Sequence, residues 1–211
     1  MRTWAVFAAL VLSACQGGPL TEPLAEATTP PGWEVLKGRG VRMALPPDWA
    51  GGIPDASLRR QIELAVRPGV GGLDEDVAEE ALRLLREAPE RLLFFAIDIR
   101  EPRAAYFANV NAVDLGIAPT VPVEEVLART GGFYRGGGFT VLRSTQATVR
   151  GRPAGRIVME VSFPVGVVRE LVYLVPTEGG YRSVTFAELA TAFDDRLEHF
   201  EDAIQTVDFS A

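Results

Sequence analysis

From Phe139 onward the apolar residues of this chain recur at every second position, and a period of two commits the backbone to strands. Residues 140–149 and 154–163 form a first pair, joined across Arg150-Gly151-Arg152-Pro153. On the second of them Ile157, Met159, Val161 and Phe163 share one face while Arg156, Glu160 and Ser162 take the other, the pattern of an antiparallel hairpin with one buried side. Residues 167–175 and 181–186, linked through Pro176-Thr177-Glu178-Gly179-Gly180, predict a second hairpin. A closing helix over 191–205 carries Phe193, Leu197, Phe200 and Ile204 at intervals of 4, 3 and 4, a stripe that has to pack on the sheet.

The earlier part of the folded region mixes both periods. Residues 33–36 and 41–45 read as short strands around the turn Lys37-Gly38-Arg39-Gly40, and Pro46-Pro47 ends the second. A stretch of uncertain type runs from Asp55 to Val66. Leu73, Val77, Ala81, Leu84, Leu85 and Ala88 then predict a helix over 74–88, stopped by Pro89. Leu92 to Ile99 fits a buried strand and Tyr106 to Leu115 another, with Asn109 and Asn111 on one side of it. A helix is expected over 122–130, with Pro122 in its first turn and Glu124 and Glu125 at its positive end; the glycines at 131, 132, 136, 137 and 138 read as a loop. Strands in clusters with helices between and after them give the α+β class, an antiparallel sheet covered by helices.

Ahead of all this stand Arg2, an apolar run from Trp4 to Leu12 and the small residues Ser13 and Ala14, the layout of a secretory leader too short to span a bilayer. Cys15 follows and is the chain's only cysteine. Leu12-Ser13-Ala14-Cys15 resembles the lipobox of bacterial lipoproteins. That resemblance implies a diacylglyceryl group on the Cys15 sulfur, cleavage before Cys15 and often a further fatty acyl chain such as palmitate on the new amino group. The competing readings are an ordinary leader with an incidental cysteine and an uncleaved signal anchor. Two or more acyl chains hold a protein stably on a membrane where one holds marginally.

These features divide the chain into a signal peptide at 1–14, a lipidated N-terminus and flexible tether at 15–32, and one domain at 33–211. Gln16 to Pro31 contains four prolines, two glycines and no apolar period. Sixteen such residues reach roughly 20–25 Å as a flexible chain. Without Arg2 the chain has 20 basic side chains against 28 acidic ones, net −8, which argues against nucleic acid and against electrostatic adhesion to anionic lipid. With one cysteine no disulfide can form within the chain, so packing has to hold the exported domain together.

Four segments carry a second resemblance, which covers most of the chain from Trp33 to Phe209. They are Met43-Ala44-Leu45-Pro46-Pro47-Asp48-Trp49, Phe107-Ala108-Asn109-Val110-Asn111, the turn Val149-Arg150-Gly151-Arg152-Pro153-Ala154, and Phe193 to Phe209 with its ending Ile204-Gln205-Thr206-Val207-Asp208-Phe209. In this order they resemble Mog1/PsbP-like domains. The resemblance implies an α/β/α sandwich around a mainly antiparallel sheet. The family includes a nuclear import factor that binds a small GTPase, a photosystem extrinsic subunit and many bacterial lipoproteins, and its members bind proteins rather than catalyse reactions. None of their partner-binding residues maps onto this sequence.

Residues that could carry chemistry are few. His199 is the only histidine, and it reads as a solvated residue of the last helix rather than a member of a catalytic triad. Asp74-Glu75-Asp76 with Glu79 and Glu80 lacks the spacing and glycine of a calcium loop and suits a helix start. Gly136-Gly137-Gly138 lacks the lysine and Ser/Thr of a phosphate loop. Asp194 and Asp195 beside Glu198 read as helix solvation, and Asn109 and Asn111 as hydrogen-bonding partners of a neighbouring loop. No catalytic, cofactor-binding or metal-binding residue is assigned, and no cofactor is expected.

The reading that results is a lipid-anchored bacterial envelope protein, a non-catalytic module that binds another envelope protein. Its anchor lies on the outside of the cytoplasmic membrane or at the outer membrane; Gln16 after the cysteine favours the outer membrane in some two-membrane bacteria. The alternative is a carrier of a small apolar ligand or lipid, with a cavity lined by residues such as Phe94, Phe163 and Phe186. A hydrolase is the remote third reading.

Overall fold

The computed structural model describes residues 28–54, 91–100, 106–163 and 166–209. The expected stretch 55–66, the helix over 74–88, its acidic start and the lipobox residues Leu12, Ser13, Ala14 and Cys15 lie outside them.

Among the described residues the period-two region forms four consecutive strands of a seven-stranded sheet, out to one edge. β6 (Thr140–Val149) and β7 (Arg152–Phe163) make the first hairpin, β8 (Gly166–Thr177) and β9 (Gly180–Leu189) the second. β4 (Leu92–Asp98) and β5 (Asn109–Asp114) follow the expected runs, and β3 (Trp49–Gly52) completes the sheet. The sheet runs β3-β4-β5-β9-β8-β7-β6 and every neighbouring pair is antiparallel. β1 (Glu34–Lys37) and β2 (Arg42–Leu45) form a separate hairpin, as expected.

The β6–β7 turn is tighter than the sequence suggested. Only Arg150 and Gly151 lie outside the strands, at φ 48° and 80°, so the connection is the left-handed two-residue turn that matches strand twist. Arg150 tolerates that conformation because its backbone N–H donates to Gln205 Oε1 at 2.9 Å and its guanidinium to the Val207 carbonyl at 2.8 Å. Pro153 falls in β7 opposite Thr148. Phe163, expected on the buried face, is 46% exposed because it stands at the far end of its hairpin.

Helices lie on both faces, so the class is α+β with a helix–sheet–helix layering. α1 (Val123–Gly136) begins after Pro122 with Glu124 and Glu125 in its first turn, but runs six residues past the expected end at Thr130. The glycines at 131, 132 and 136 are therefore helical, and only 137 and 138 form the turn. Each helical glycine costs about 1 kcal/mol relative to alanine. Val123, Val126, Leu127 and Tyr134 nevertheless fall on one stripe, and that stripe packs with Ile157, Met159, Val172 and Leu174. α2 (Phe193–Thr206) covers the other face. Its Phe193, Phe200, Ala203 and Ile204 join Phe94, Val110, Leu171, Val184 and Phe186, with Phe200 stacked on Phe186 at 5.1 Å.

The β1–β2 hairpin closes over α2. Val41, Met43 and Leu45 enter the same core as Val207, and the Ala44 backbone N–H donates to Thr206 Oγ1 at 2.8 Å. Arg42 and Asp208 exchange backbone hydrogen bonds at 2.9 and 2.8 Å and pair through their side chains. The two ends of the domain are thus tied together.

β3 went unrecognised in the sequence because two of its four residues are glycine. Gly51 is required by close approach: a Cβ there would stand 2.5 Å from the Ala96 Cα. Gly51→Ala forces β3 off β4, and urea denaturation should read a loss of about 1–3 kcal/mol.

Candidate functional site

Where β2 runs into β3 beneath α2, the surface opens into a pocket of about 170 Å³. Leu45, Pro46, Trp49, Phe200 and Ala203 give it apolar walls. Arg100, Asp195, Arg196 and His199 supply its polar groups. Pro46-Pro47 ends the strand, Asp48 adopts φ 72°, and the reversal delivers Trp49 to the sheet opposite Asp98. The Trp49 indole is 6% exposed, and its buried Nε1–H has no acceptor among the described residues.

Behind the pocket lies an ion network. Asp98 and Glu188 are each 1% exposed, and Arg196 bridges them, donating from Nη1 to Asp98 Oδ2 and placing Nε 3.2 Å from Glu188 Oε2. Arg100 lies 3.7 Å from the other Asp98 oxygen and 3.1 Å from Asp48 Oδ2 through its Nε, and its backbone N–H donates to Asp98 at 3.0 Å. Its terminal guanidinium nitrogens have no further partner among the described residues.

His199 is exposed on α2, as the sequence reading has it, and it also lines the pocket. It is seven residues from the helix end, and a helix that buries Phe200 and Ala203 against the sheet brings it to the rim beside Arg196. Its ring meets the edge of Trp33 at 6.1 Å, so the first residues of the domain adjoin the pocket. Neither ring nitrogen has a hydrogen-bond partner among the described residues. A histidine acting as a general base needs a nucleophile on one nitrogen and an orienting group on the other.

The remaining candidates separate. Asp194 pairs with Arg169 at 3.2 Å, and Arg169 also holds Glu160 at 2.8 Å, while Asp195 lines the pocket. Asn109 and Asn111 do share one face of β5, and Asn109 donates to the Tyr106 hydroxyl at 2.9 Å and the Phe107 carbonyl at 3.3 Å, as expected. Phe94, Phe163 and Phe186 do not converge: Phe94 and Phe186 are fully buried on the α2 side, and Phe163 is exposed on the other. Among the described residues no cluster of three or more His, Cys, Asp or Glu could hold a metal, and no helix is long and apolar enough to cross a membrane.

Asp98, Glu188 and Arg196 were missed by sequence reasoning. One signal was present, a lone charge closing each of two apolar strand runs. A second feature was also missed, on the α1 face. Glu170 stands between Met159 and Ala187 in neighbouring strands, half-buried and without a partner among the described residues, and burial pushes its carboxyl up to about 7. The hydroxyls of Tyr106 and Tyr134 are raised above the usual tyrosine range, first by burial and then by the Glu170 charge.

No protein-family model matches this sequence, and no curated protein is similar to it. Among solved structures, that of a cyanobacterial PsbP from a Synechocystis species has a TM-score of 0.49 at 10% identity, covering 93% of this chain and 97% of that one. LpqN, involved in cell envelope biogenesis of Mycobacterium tuberculosis, has a TM-score of 0.43 at 11% identity over 90% and 86% of the two chains. The type VI secretion immunity protein TplEi of Pseudomonas aeruginosa, solved with a peptide, has 0.46 at 12% over 85% and 98%. Likeness of chain path at this level brings no function with it.

Two outcomes test the electrostatics. Arg196→Met strands two buried carboxylates, and urea denaturation should show a loss of about 3–5 kcal/mol. For Glu170 the folded carboxyl keeps its proton to higher pH than the unfolded one, so its presence costs nothing in acid, progressively destabilises the fold as pH rises from the ordinary carboxylate range towards about 7, and costs no more beyond that. Glu170→Gln should therefore match the parent near pH 4 and exceed it at pH 8 by on the order of 2 kcal/mol, read from denaturation curves at both pH values.

Proposed function

We propose that this chain is a lipid-anchored bacterial envelope protein whose Mog1/PsbP-like domain binds another envelope protein, without catalysis, through the pocket beneath α2. The observation that carries the reading is the set of donors around that pocket's apolar walls that have no acceptor among the described residues, namely the terminal nitrogens of Arg100 and the His199 ring, beside the buried Trp49 indole.

The size and charge of the pocket select its occupant. At about 170 Å³ it falls below the roughly 300–1,000 Å³ of sites that enclose a small molecule. That supports a partner inserting one small apolar side chain over a carrier enclosing a whole ligand. Asp48, Asp98 and Asp195 already surround the two arginines, so a further anion would be opposed. A neutral acceptor, the backbone carbonyl of a partner's loop, suits the donors better. Trp33 against His199 puts the pocket beside the point where the tether joins the domain. With Cys15 lipidated and Leu12, Ser13 and Ala14 removed or cut, the pocket would face a partner close to the membrane.

Crosslinking in intact cells, followed by fractionation and mass spectrometry, tests both halves. Cys15→Ser should move the protein from the membrane pellet to the soluble fraction, and a variant that still pellets as before removes the anchor. The wild-type chain should capture a partner that Arg100→Ala with His199→Ala reduces about tenfold, the equivalent of 1.4 kcal/mol. Undiminished capture by that double variant removes the pocket from the reading.

A further inference from the structure

The two edges of the sheet differ. β3 is four residues long with glycine at 51 and 52, which makes a poor template for another strand. β6 is ten residues long, Thr-Val-Leu-Arg-Ser-Thr-Gln-Ala-Thr-Val, with no proline, no carboxylate and one charge, Arg143. Among the described residues it pairs only with β7, and the edge devices that natural sheets use against association are reduced to Arg143 and a bulge between Val141 and Arg143.

The register shows which backbone groups are free. Val149 and Arg152 flank the two-residue turn, so they exchange both hydrogen bonds, and bonding alternates along an antiparallel ladder from there. Ala147 and Thr145 bond to β7, whereas Ser144, Gln146 and Thr148 direct their N–H and C=O outward; the Thr148 carbonyl accepts from Gln205 Nε2 at 3.0 Å, so the open stretch of the edge centres on Ser144 and Gln146. Pro153, which has no N–H, faces Thr148 in a pair that needs none. Ser144, Gln146 and Thr148 are exposed.

We propose that this edge pairs with β6 of a second copy of the chain, antiparallel about a two-fold axis, joining the two sheets into one. Such pairing brings outward residues opposite outward residues. With the axis at Ser144, Thr145 or Gln146, Arg143 faces Thr145, Ala147 or Val149 of the second copy and never itself, so the strand's only charge meets no like charge. The interface is isologous and closes on itself. The choice of a second copy also rests on the lipid-anchor reading. A two-fold axis through an antiparallel strand pair stands perpendicular to the sheet, so both α2 layers lie on one side of the joined sheet. Trp33 packs against α2, and both tethers leave on that side, as two anchors in one bilayer require.

Because Cys15 is the only cysteine, single introduced thiols report the pairing directly. Opposed residues of an antiparallel pair lie about 4.5–5.5 Å apart at Cα, within disulfide reach. Ser144→Cys, Thr145→Cys, Gln146→Cys and Thr148→Cys are introduced one at a time in the full chain in intact cells and mildly oxidised, with Ser162→Cys on β7 and the unaltered chain as controls. The expected result is disulfide dimer peaking at one or two adjacent β6 positions and at background in both controls. Ser144→Pro, or Gln146→Pro where the peak is at residue 144, is combined with the peak cysteine; it removes an outward N–H and no bond to β7, so the dimer should be lost while the melting temperature holds. No dimer at any of the four positions, a flat profile, disulfides to a protein of different mass, or dimer that survives the proline substitution each overturns the proposal. Repeating the peak variant with Cys15→Ser, as concentrated purified protein, separates the two ideas: a soluble chain that still crosslinks at the same position leaves the pairing intact without the anchor.

Discussion

Arg196 sits inside the apolar stripe of the last helix, three residues after Phe193 and four before Phe200, and from there it reaches two carboxylates that have almost no contact with water. A buried ion pair adds little net stability, because desolvating the charges offsets most of their attraction. Its effect here is on placement. Phe193, Phe200 and Ile204 could pack on the sheet with the helix shifted or slightly rotated, since apolar contact is indifferent to small displacements. A guanidinium that must answer both Asp98 on β4 and Glu188 on β9 admits far fewer positions. The pocket depends on that choice, because Asp195, His199 and Ala203 reach it only from the helix so placed.

What the sequence made legible follows from which forces are local. Alternation over 140–186 announced both hairpins because a strand half in contact with core must alternate, and the 4, 3, 4 spacing of Phe193, Leu197, Phe200 and Ile204 announced the covering helix for the analogous reason. The misses lie where local preference yields to tertiary contact. Gly131, Gly132 and Gly136 read as a loop by propensity, but Tyr134 packs on Phe139 at 5.3 Å and joins the core under α1, which keeps the helix going. The pocket was the least legible feature, since its walls come from residues 45–49, from residue 100 and from residues 195–203. Nothing in the spacing of those residues distinguishes a paired buried charge from a solvated one.

The two faces of the sheet solve different problems. On the α2 side the charges that enter the interior are matched, Asp98 and Glu188 by Arg196, and Glu160 by Arg169. On the α1 side Glu170 stands unmatched in a row with Met159 and Ala187. An unmatched carboxyl in such surroundings keeps its proton at a higher pH, which is why burial and not a neighbouring charge sets its behaviour. One face is thus fixed by buried ion pairing and the other by packing with hydrogen bonds at its margin, Gln146 to Glu124 and the Tyr181 hydroxyl to the Val121 carbonyl, with the Glu170 charge as its standing weakness.

The ends of the domain decide how the pocket would be presented to its surroundings. Arg42 and Asp208 hold the β1–β2 hairpin to the last residues of the described fold through main-chain and side-chain bonds, and Thr206 bonds to Ala44 between them. Trp33 lies against His199, so the chain enters the domain on the same helix that builds the pocket. Arg196 fixes α2 to the sheet and Thr206 fixes it to β2, so the helix cannot shift without disturbing both, and the pocket that it builds with residues 45–49 keeps its shape only while those bonds hold.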